Sequence, residues 1–285
     1  MLNRINKYFK IFYEVLFSIP SRLLFGNIIS FKSNLLPLLN IANNFFSKKM
    51  NNSINEKGYK NIKYNLNPSL IEEIVYKYNK LIDDPNYYSI TPNLKKKFLL
   101  NPVEKIPNLK KLIENIKEEL DDYYAQDFTI KQVRAFRNYS DESINWSREK
   151  YIYSNLWHND YYIANKLKVF ILLNDNINKD TGCTRLINKK NSAKLIRTFK
   201  FIHTSLVTRK FDEYVEKKKL IKYCEGDAGD IFIVNTQQCL HAASIPREGV
   251  YRDMVVFEIY PTKKNFGELF DLDKDHTVHG YLRQK

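Results

Sequence analysis

The sequence predicts a mainly β fold of the jelly-roll type, preceded by α-helices, and three observations predict it. From Phe128 onward the apolar residues leave helical spacing for the period of two that a strand imposes. Polar turns separate these runs, and Gly226 and Gly229 flank one of them. The residues richest in chemistry, His158, Asp160 and His241, sit within or beside such runs. Several short strands with polar turns pack as a sandwich or barrel, which closes or pairs most strand edges. A chain of 285 residues with 44% hydrophobic and 14% aromatic content is long and apolar enough for one large domain.

Residues 1–55 read as a basic, amphipathic extension. Ile5, Tyr8, Phe9, Phe12 and Leu16 fall at helical spacing, with Arg4, Lys7 and Lys10 on another face. Glu14 and Pro20 interrupt the apolar run, so neither a spanning helix nor a normal signal peptide is expected. Such a helix can lie on a membrane surface or pack on its own domain, and both readings stay open. Asn51 to Asn65 reads as a polar linker.

Residues 56–127 are expected to form a helical support region. Asn67 caps a helix with Pro68 at its first position, where the missing N–H costs nothing. Its stripe is Leu70, Ile71, Ile74, Val75, Tyr78 and Leu81. A second helix follows Pro107, with Leu109, Leu112, Ile113, Ile116 and Leu120 on one face.

The core spans 128–262, with strands expected at Thr129 to Tyr139, Leu167 to Leu173, Ile231 to Val234 and Met254 to Tyr260. A basic insertion at 193–223, with a helix at Ser205 to Lys218, interrupts them. It is expected either as a lid favouring an anionic substrate or as a solvated surface helix. Residues 263–285 form a tail.

Trp157-His158-Asn159-Asp160 is answered 81 residues after Asp160 by His241. A strand's period of two puts His158 and Asp160 on one face. A histidine from a second strand completes a 2-His-1-carboxylate set, the arrangement of non-heme Fe(II) oxygenases, although this donor mix also suits Zn²⁺. Arg252 stands eleven residues after His241, at the start of an apolar run. There a guanidinium can grip a carboxylate with two parallel hydrogen bonds, as the far end of 2-oxoglutarate requires. Arg247, in the Pro246-Arg247-Glu248-Gly249 turn, is expected to be solvated.

With these residues in place, the chain resembles the phytanoyl-CoA dioxygenase family of Fe(II)/2-oxoglutarate oxygenases over about Gln132 to Pro261. The resemblance is carried by Val133-Arg134-Ala135-Phe136-Arg137-Asn138-Tyr139, Ser154-Asn155-Leu156-Trp157-His158-Asn159-Asp160 and Lys168-Val169-Phe170-Ile171-Leu172-Leu173-Asn174-Asp175. Asp180-Thr181-Gly182-Cys183, Gly229-Asp230-Ile231-Phe232 and the His241 and Arg252 segments extend it. It implies a double-stranded β-helix (jelly-roll, cupin-like) core, with His158, Asp160 and His241 as iron ligands and Arg252 on the co-substrate. Asn155 stands where relatives often have a Gln near 2-oxoglutarate. The implied reaction consumes O2 and 2-oxoglutarate, releases succinate and CO2, and oxidises a small or conjugated organic substrate. Asp160, where a halogenating relative lacks the carboxylate, favours hydroxylation. Relatives carry a Pro-Gly-Ser/Thr-His stretch where this chain has Asn188-Lys189-Lys190-Asn191-Ser192, so substrate contacts there do not transfer.

Arg134 and Arg137 alternate on one strand, so one of them faces the barrel and can meet substrate, unless it serves a structural ion pair. Trp157 and Tyr162 flank the ligand pair and can wall the pocket or fill core. His203, His276 and His279 are not expected as ligands; His276 and His279 sit in an acidic C-terminal tail and read as exposed surface histidines, although their spacing could bind metal. A net charge of +14 raises a nucleic-acid reading, but the lysines are spread out and no basic motif appears, so nucleic acid is not the expected partner. Three cysteines, Cys183, Cys224 and Cys239, make no disulfide framework and fit a reducing cytoplasm. Cys239 is expected as a small buried residue, although it alternates in phase with His241. The rival readings are a non-catalytic binding protein on the same fold, a basic membrane-surface or nucleic-acid module, and Zn²⁺-assisted hydrolysis.

Overall fold

A computed structural model describes residues 53–63, 66–90, 96–124, 127–139, 156–160, 166–199, 209–262 and 269–272. The expectations for the basic extension up to residue 52, for Asn155 and Tyr162, and for His203, His276 and His279 lie outside these residues.

The helical region begins with α1 (Ser53–Lys57), followed by β1 (Tyr59–Ile62). This corrects the expected linker at 51–65, because β1 pairs antiparallel along a later strand, Tyr59 opposite Val234 and Ile62 opposite Ile231. Its four residues are all half-buried, an edge strand too short and too polar to stand out by periodicity. Gly58 makes the turn between α1 and β1 at φ +85°, and a Cβ there would lie 2.3 Å from the Cys239 sulfur.

In α2 (Pro68–Ile82) the Asn67 side chain accepts from the Ser69 N–H, with Pro68 in the first turn as expected. Ile71, Ile74, Tyr78 and Ile82 recur at helical spacing and are buried. After β2 (Tyr88–Ile90), β3 (Lys96–Leu99) and α3 (Pro102–Lys105), the stripe beginning at Leu109 divides between α4 (Leu109–Glu114) and α5 (Lys117–Tyr124). The break falls at Asn115 and Ile116, and the Asn115 N–H still bonds back to the Ile113 and Lys111 carbonyls. Leu109, Leu112, Ile113, Ile116 and Leu120 nevertheless stay buried together.

The core strands are β4 (Phe128–Tyr139), β5 (Leu167–Leu172), β6 (Thr184–Ile187), β7 (Ile221–Cys224), β8 (Ile231–Val234), β9 (His241–Ala243) and β10 (Tyr251–Pro261). They form two antiparallel sheets, a large one ordered β1-β8-β5-β10-β4-β3-β2 and a small one ordered β7-β6-β9. The two sheets face each other as a jelly roll. One face of the large sheet (Val133, Ala135, Val169, Ile171, Ile233, Val255, Phe257) packs on the helical region. The other (Phe98, Phe136, Phe170, Leu172, Phe232, Val234, Met254, Val256) packs toward the small sheet with the three cysteines. All three thiols are reduced and buried.

The insertion folds as α6 (Lys189–Thr198) and α7 (Arg209–Lys217), and α6 begins four residues before the expected boundary. Asn188 caps it, its side chain accepting from the Asn191 N–H, so residues 188–192 form a helix start. Leu195, Ile196, Phe211 and Val215 pack with Trp157, Leu240 and Ala242. Leu240 and Ala242 alternate with His241 on β9, so both helices cover the outer surface of the small sheet. Their described parts close the back of the barrel.

Arg137 joins the helical region to the sheet. Its guanidinium donates twice to Asp253, both contacts at 2.8 Å, and also reaches Asp83 and Asn79 on or beside α2. The Tyr78 hydroxyl donates to the same Asp253 carboxylate at 3.2 Å. Removing one partner of a buried pair leaves the other charge uncompensated. Arg137→Met should therefore lower unfolding free energy by about 3–5 kcal/mol in denaturant titration. Asp83→Asn, at the exposed end of the cluster, should cost at most about 1 kcal/mol.

Candidate metal centre

Residues 156–160 run beside β9. The His158 N–H donates to the His241 carbonyl at 3.0 Å and the His241 N–H returns the bond at 2.8 Å. The two histidines are thus directly opposed, and their ring centroids lie 4.2 Å apart. Asp160 is anchored by its own N–H, which donates to the Thr236 carbonyl at 2.9 Å. Period-two alternation then turns its side chain toward the same point.

Asp160 Oδ1 lies 4.0 Å from Nε2 of each histidine. The three donor atoms all fall within 4.8 Å of one another. Donors that share one face of an ion through bonds of about 2.0–2.2 Å stand roughly 3 Å apart, so the three side chains draw together by about 1 Å to close on an ion. The ring orientation fits that use. His158 Nδ1 meets the Leu156 carbonyl at 2.6 Å, and His241 Nδ1 meets the Cys239 carbonyl at 3.2 Å. A carbonyl can only accept, so each Nδ1 carries the proton and each Nε2 presents its lone pair toward Asp160.

Burial holds both imidazoles neutral. It pushes His241 down to about 3, with His158 adding to the shift, and it lowers His158 against the opposing pull of Asp160. Asp160 goes well below the usual carboxylate range: burial acts to raise it, but Lys168, His241, Lys166 and His158 outweigh burial. The Lys168 ammonium sits 2.6 Å from Asp160 Oδ2, and the Thr236 hydroxyl donates to that oxygen at 2.5 Å.

Lys168 also lies 3.8 Å from Glu258, which is bonded to Lys166 at 2.6 Å and paired with Arg134. Burial acts to raise Glu258, yet Arg134, Lys168 and Lys166 hold it down to about 2. Motif reading missed Lys168, Lys166, Thr236 and Glu258. A signal existed for two of them. Lys168 and Glu258 each interrupt an apolar strand run, in phase with the inward residues Phe170 and Val256.

Arg252 is 2% exposed on the inner face of β10. Its Nη1 donates to the Gly182 carbonyl and, at 3.3 Å, to the Thr184 hydroxyl, while its Nε has no hydrogen-bond partner. Burial lowers its pKa to about 10, so it stays a cation. Arg247 is exposed and pairs with Asp180 at 2.6 Å.

Of the two alternating arginines, Arg134 shares the barrel face with Phe136, whereas Arg137 faces α2. The substrate expectation for Arg137 is therefore corrected: Asp253 and Asp83 claim its guanidinium on the side away from the centre. Trp157 is corrected as well. It points opposite to His158, donates to Asp212 on α7 at 2.5 Å and packs edge-on to Phe211, filling the core behind the small sheet.

No protein-family model matches the chain, and no curated protein matches it. Solved structures do share its fold. EctD from S. alaskensis, solved with 2-oxoglutarate and 5-hydroxyectoine, superposes with a TM-score of 0.54 at 11% identity, over 73% of this chain and 74% of its own. The non-heme alpha ketoglutarate dependent epimerase SnoN from nogalamycin biosynthesis gives 0.53 at 10%, over 73% and 80%. The carbocyclase SnoK from the same biosynthesis gives 0.52 at 12%, over 78% and 94%. At these identities the likeness establishes the jelly-roll fold. No described helix is long and apolar enough to cross a membrane.

The depressed histidines carry a pH signature. In the unfolded chain a histidine takes up its proton near pH 6.5, whereas folded His241 does so only near 3. Between these values the unfolded state binds more protons, so acidification through that window destabilises the metal-free fold. Asp160 adds stability that is present above its unfolded value of about 3.9 and lost only as pH falls further, through its lower folded value. The melting temperature of metal-free protein should accordingly fall from pH 7 to 5, and His241→Gln should flatten that fall.

Proposed function

We propose that the chain is an Fe(II)- and 2-oxoglutarate-dependent dioxygenase, related to the phytanoyl-CoA dioxygenases, that hydroxylates a small or conjugated organic substrate. The observation that carries this reading is the convergence of His158 Nε2, Asp160 Oδ1 and His241 Nε2, tautomers set and charges matched, within a jelly roll. These residues would hold the ion by one face, and Arg252 would take the far carboxylate of 2-oxoglutarate. Bound iron with 2-oxoglutarate and O2 supplies the oxidising chemistry, with succinate and CO2 as co-products. The protein binds, orients and excludes water. His158 and His241 present fixed lone pairs, Lys168 and the Thr236 hydroxyl engage Asp160 Oδ2, and the apolar members of the inner face, Phe170, Phe232, Met254 and Val256, would help to exclude water.

Hydroxylation is the reading that a retained carboxylate ligand favours. SnoN is an epimerase and SnoK a carbocyclase, so the fold alone leaves the outcome open. An anionic substrate group fits the inner face. Lys96, Arg134, Lys168 and Arg252 share its interior with the carboxylates Asp160 and Glu258, and Lys96 is lowered by burial and by the other three cations. We place the enzyme in the cytoplasm. Contact of the basic N-terminal segment with a membrane surface is part of this proposal, tested by co-sedimentation with anionic vesicles at low salt.

The decisive assay follows succinate release with Fe(II), 2-oxoglutarate and candidate carboxylate- or phosphate-bearing substrates, with mass detection of a product heavier by one oxygen. Asp160→Ala should abolish succinate release and sharply weaken iron binding; unchanged iron affinity would overturn the ligand assignment. Arg252→Lys keeps the charge and loses the two-pronged fork, so it should weaken 2-oxoglutarate by about 1.5–3 kcal/mol in calorimetry with iron affinity nearly unchanged. If it binds 2-oxoglutarate normally while Arg247 variants do not, the co-substrate role moves to Arg247. Hydrolysis of substrate with Zn²⁺ and no 2-oxoglutarate consumption would favour the hydrolase reading instead.

A further inference from the structure

Lys168 stands at the metal centre without belonging to its ligand set. Its ammonium contacts Asp160 Oδ2 at 2.6 Å and lies 3.8 Å from Glu258, which already pairs with Arg134 and Lys166. We infer that Lys168 is a metal-selectivity residue, which renders the His158–Asp160–His241 set electrically neutral and so excludes Mg²⁺ and Ca²⁺ while admitting transition ions that bond strongly to imidazole. The inference rests on the metal-site reading above.

The charges are simple to follow. Two imidazoles that donate from Nδ1 to backbone carbonyls and offer the Nε2 lone pair contribute no charge, Asp160 contributes one negative charge, and Lys168 cancels it at hydrogen-bond distance. Mg²⁺ and Ca²⁺ are hard ions held by carboxylate charge and oxygen ligands. At this centre they would meet one carboxylate, already shared with an ammonium. Ca²⁺ also takes six to eight oxygens and often both oxygens of a carboxylate. Here Oδ2 is engaged by Lys168 and the Thr236 hydroxyl, and Oδ1 alone faces the histidines. The ammonium opposes every divalent ion alike. Only ions with a strong bond to imidazole nitrogen recover that loss, as iron, nickel, copper and zinc do.

The test uses metal-free, full-length protein and calorimetric titration with Co²⁺, Mg²⁺ and Ca²⁺. Wild-type protein should bind one Co²⁺ and show no Mg²⁺ or Ca²⁺ binding at millimolar concentration. Lys168→Met keeps the aliphatic stem and removes the charge. It should bind Co²⁺ at least about tenfold more tightly, the scale of a unit charge acting on a divalent ion a few ångströms away, and should acquire measurable Mg²⁺ binding. Lys168→Arg should retain wild-type behaviour. Lys168→Gln keeps a donor for Oδ2 without the charge, and it carries the same expectation should the Met variant fail to fold. A lysine that merely orients Asp160 predicts the opposite sign, since losing it would weaken Co²⁺. Wild-type binding of Co²⁺ with equal or weaker binding by both neutral variants overturns this inference alone. Wild-type protein that binds no Co²⁺ overturns the metal-site reading and this inference together.

Discussion

Asp160 is a carboxylate taken out of water, and a buried charge survives only when opposite charge or hydrogen-bond donors surround it. Nearly every feature of the centre follows from that demand. Lys168 and the Thr236 hydroxyl satisfy one oxygen, and the imidazole pair faces the other. Lys168 in turn leans toward Glu258, whose remaining capacity goes to Arg134 and Lys166. The chain of charges thus runs from the centre across β5 and β10 to β4. The rings cannot share the burden by ionising, because burial keeps them neutral and their Nδ1 protons are committed to backbone carbonyls.

The large sheet separates structural from chemical charge by alternation. Asp253 and Arg137 point to the helical region and bolt α2 to the sheet, with Tyr78 as a third member. Arg252 and Glu258 are in phase with Met254 and Val256 and face the barrel. A bulge between Glu258 and Ile259 in the pairing of β10 with β4 makes Lys131 the extra residue. It lets Ile130 and Val133 share the helix-covered face although an odd number separates them. Without it the residues on one side of the break would exchange faces.

The small sheet shows the same division. His241 looks inward, while Leu240 and Ala242 look outward into the apolar layer that α6 and α7 cover with Trp157. The described insertion helices therefore brace the strand that carries His241. Their amphipathic construction serves the back of the sheet, and Lys190, Lys194, Arg197 and Lys217 lie exposed on the outside.

Much of this protein was legible in its sequence. Strand period placed His158 and Asp160 on one face, and the apolar runs located β4, β5, β8 and β10 to within a few residues, because alternation is a local property of the chain. Asn67 and Pro68 announced the start of α2 for the same reason. The edge strand β1 escaped notice because its pairing is supplied by β8, more than 160 residues away. Sequence could say that Arg134 and Arg137 face opposite ways but not which faces the barrel; that depended on where α2 docks. It could not reveal that Lys168 would rest on Asp160 or that Glu258 would bind Lys166, since such partners meet only when distant strands pair. Local periodicity determines which side a residue faces, and long-range packing alone decides what it finds there.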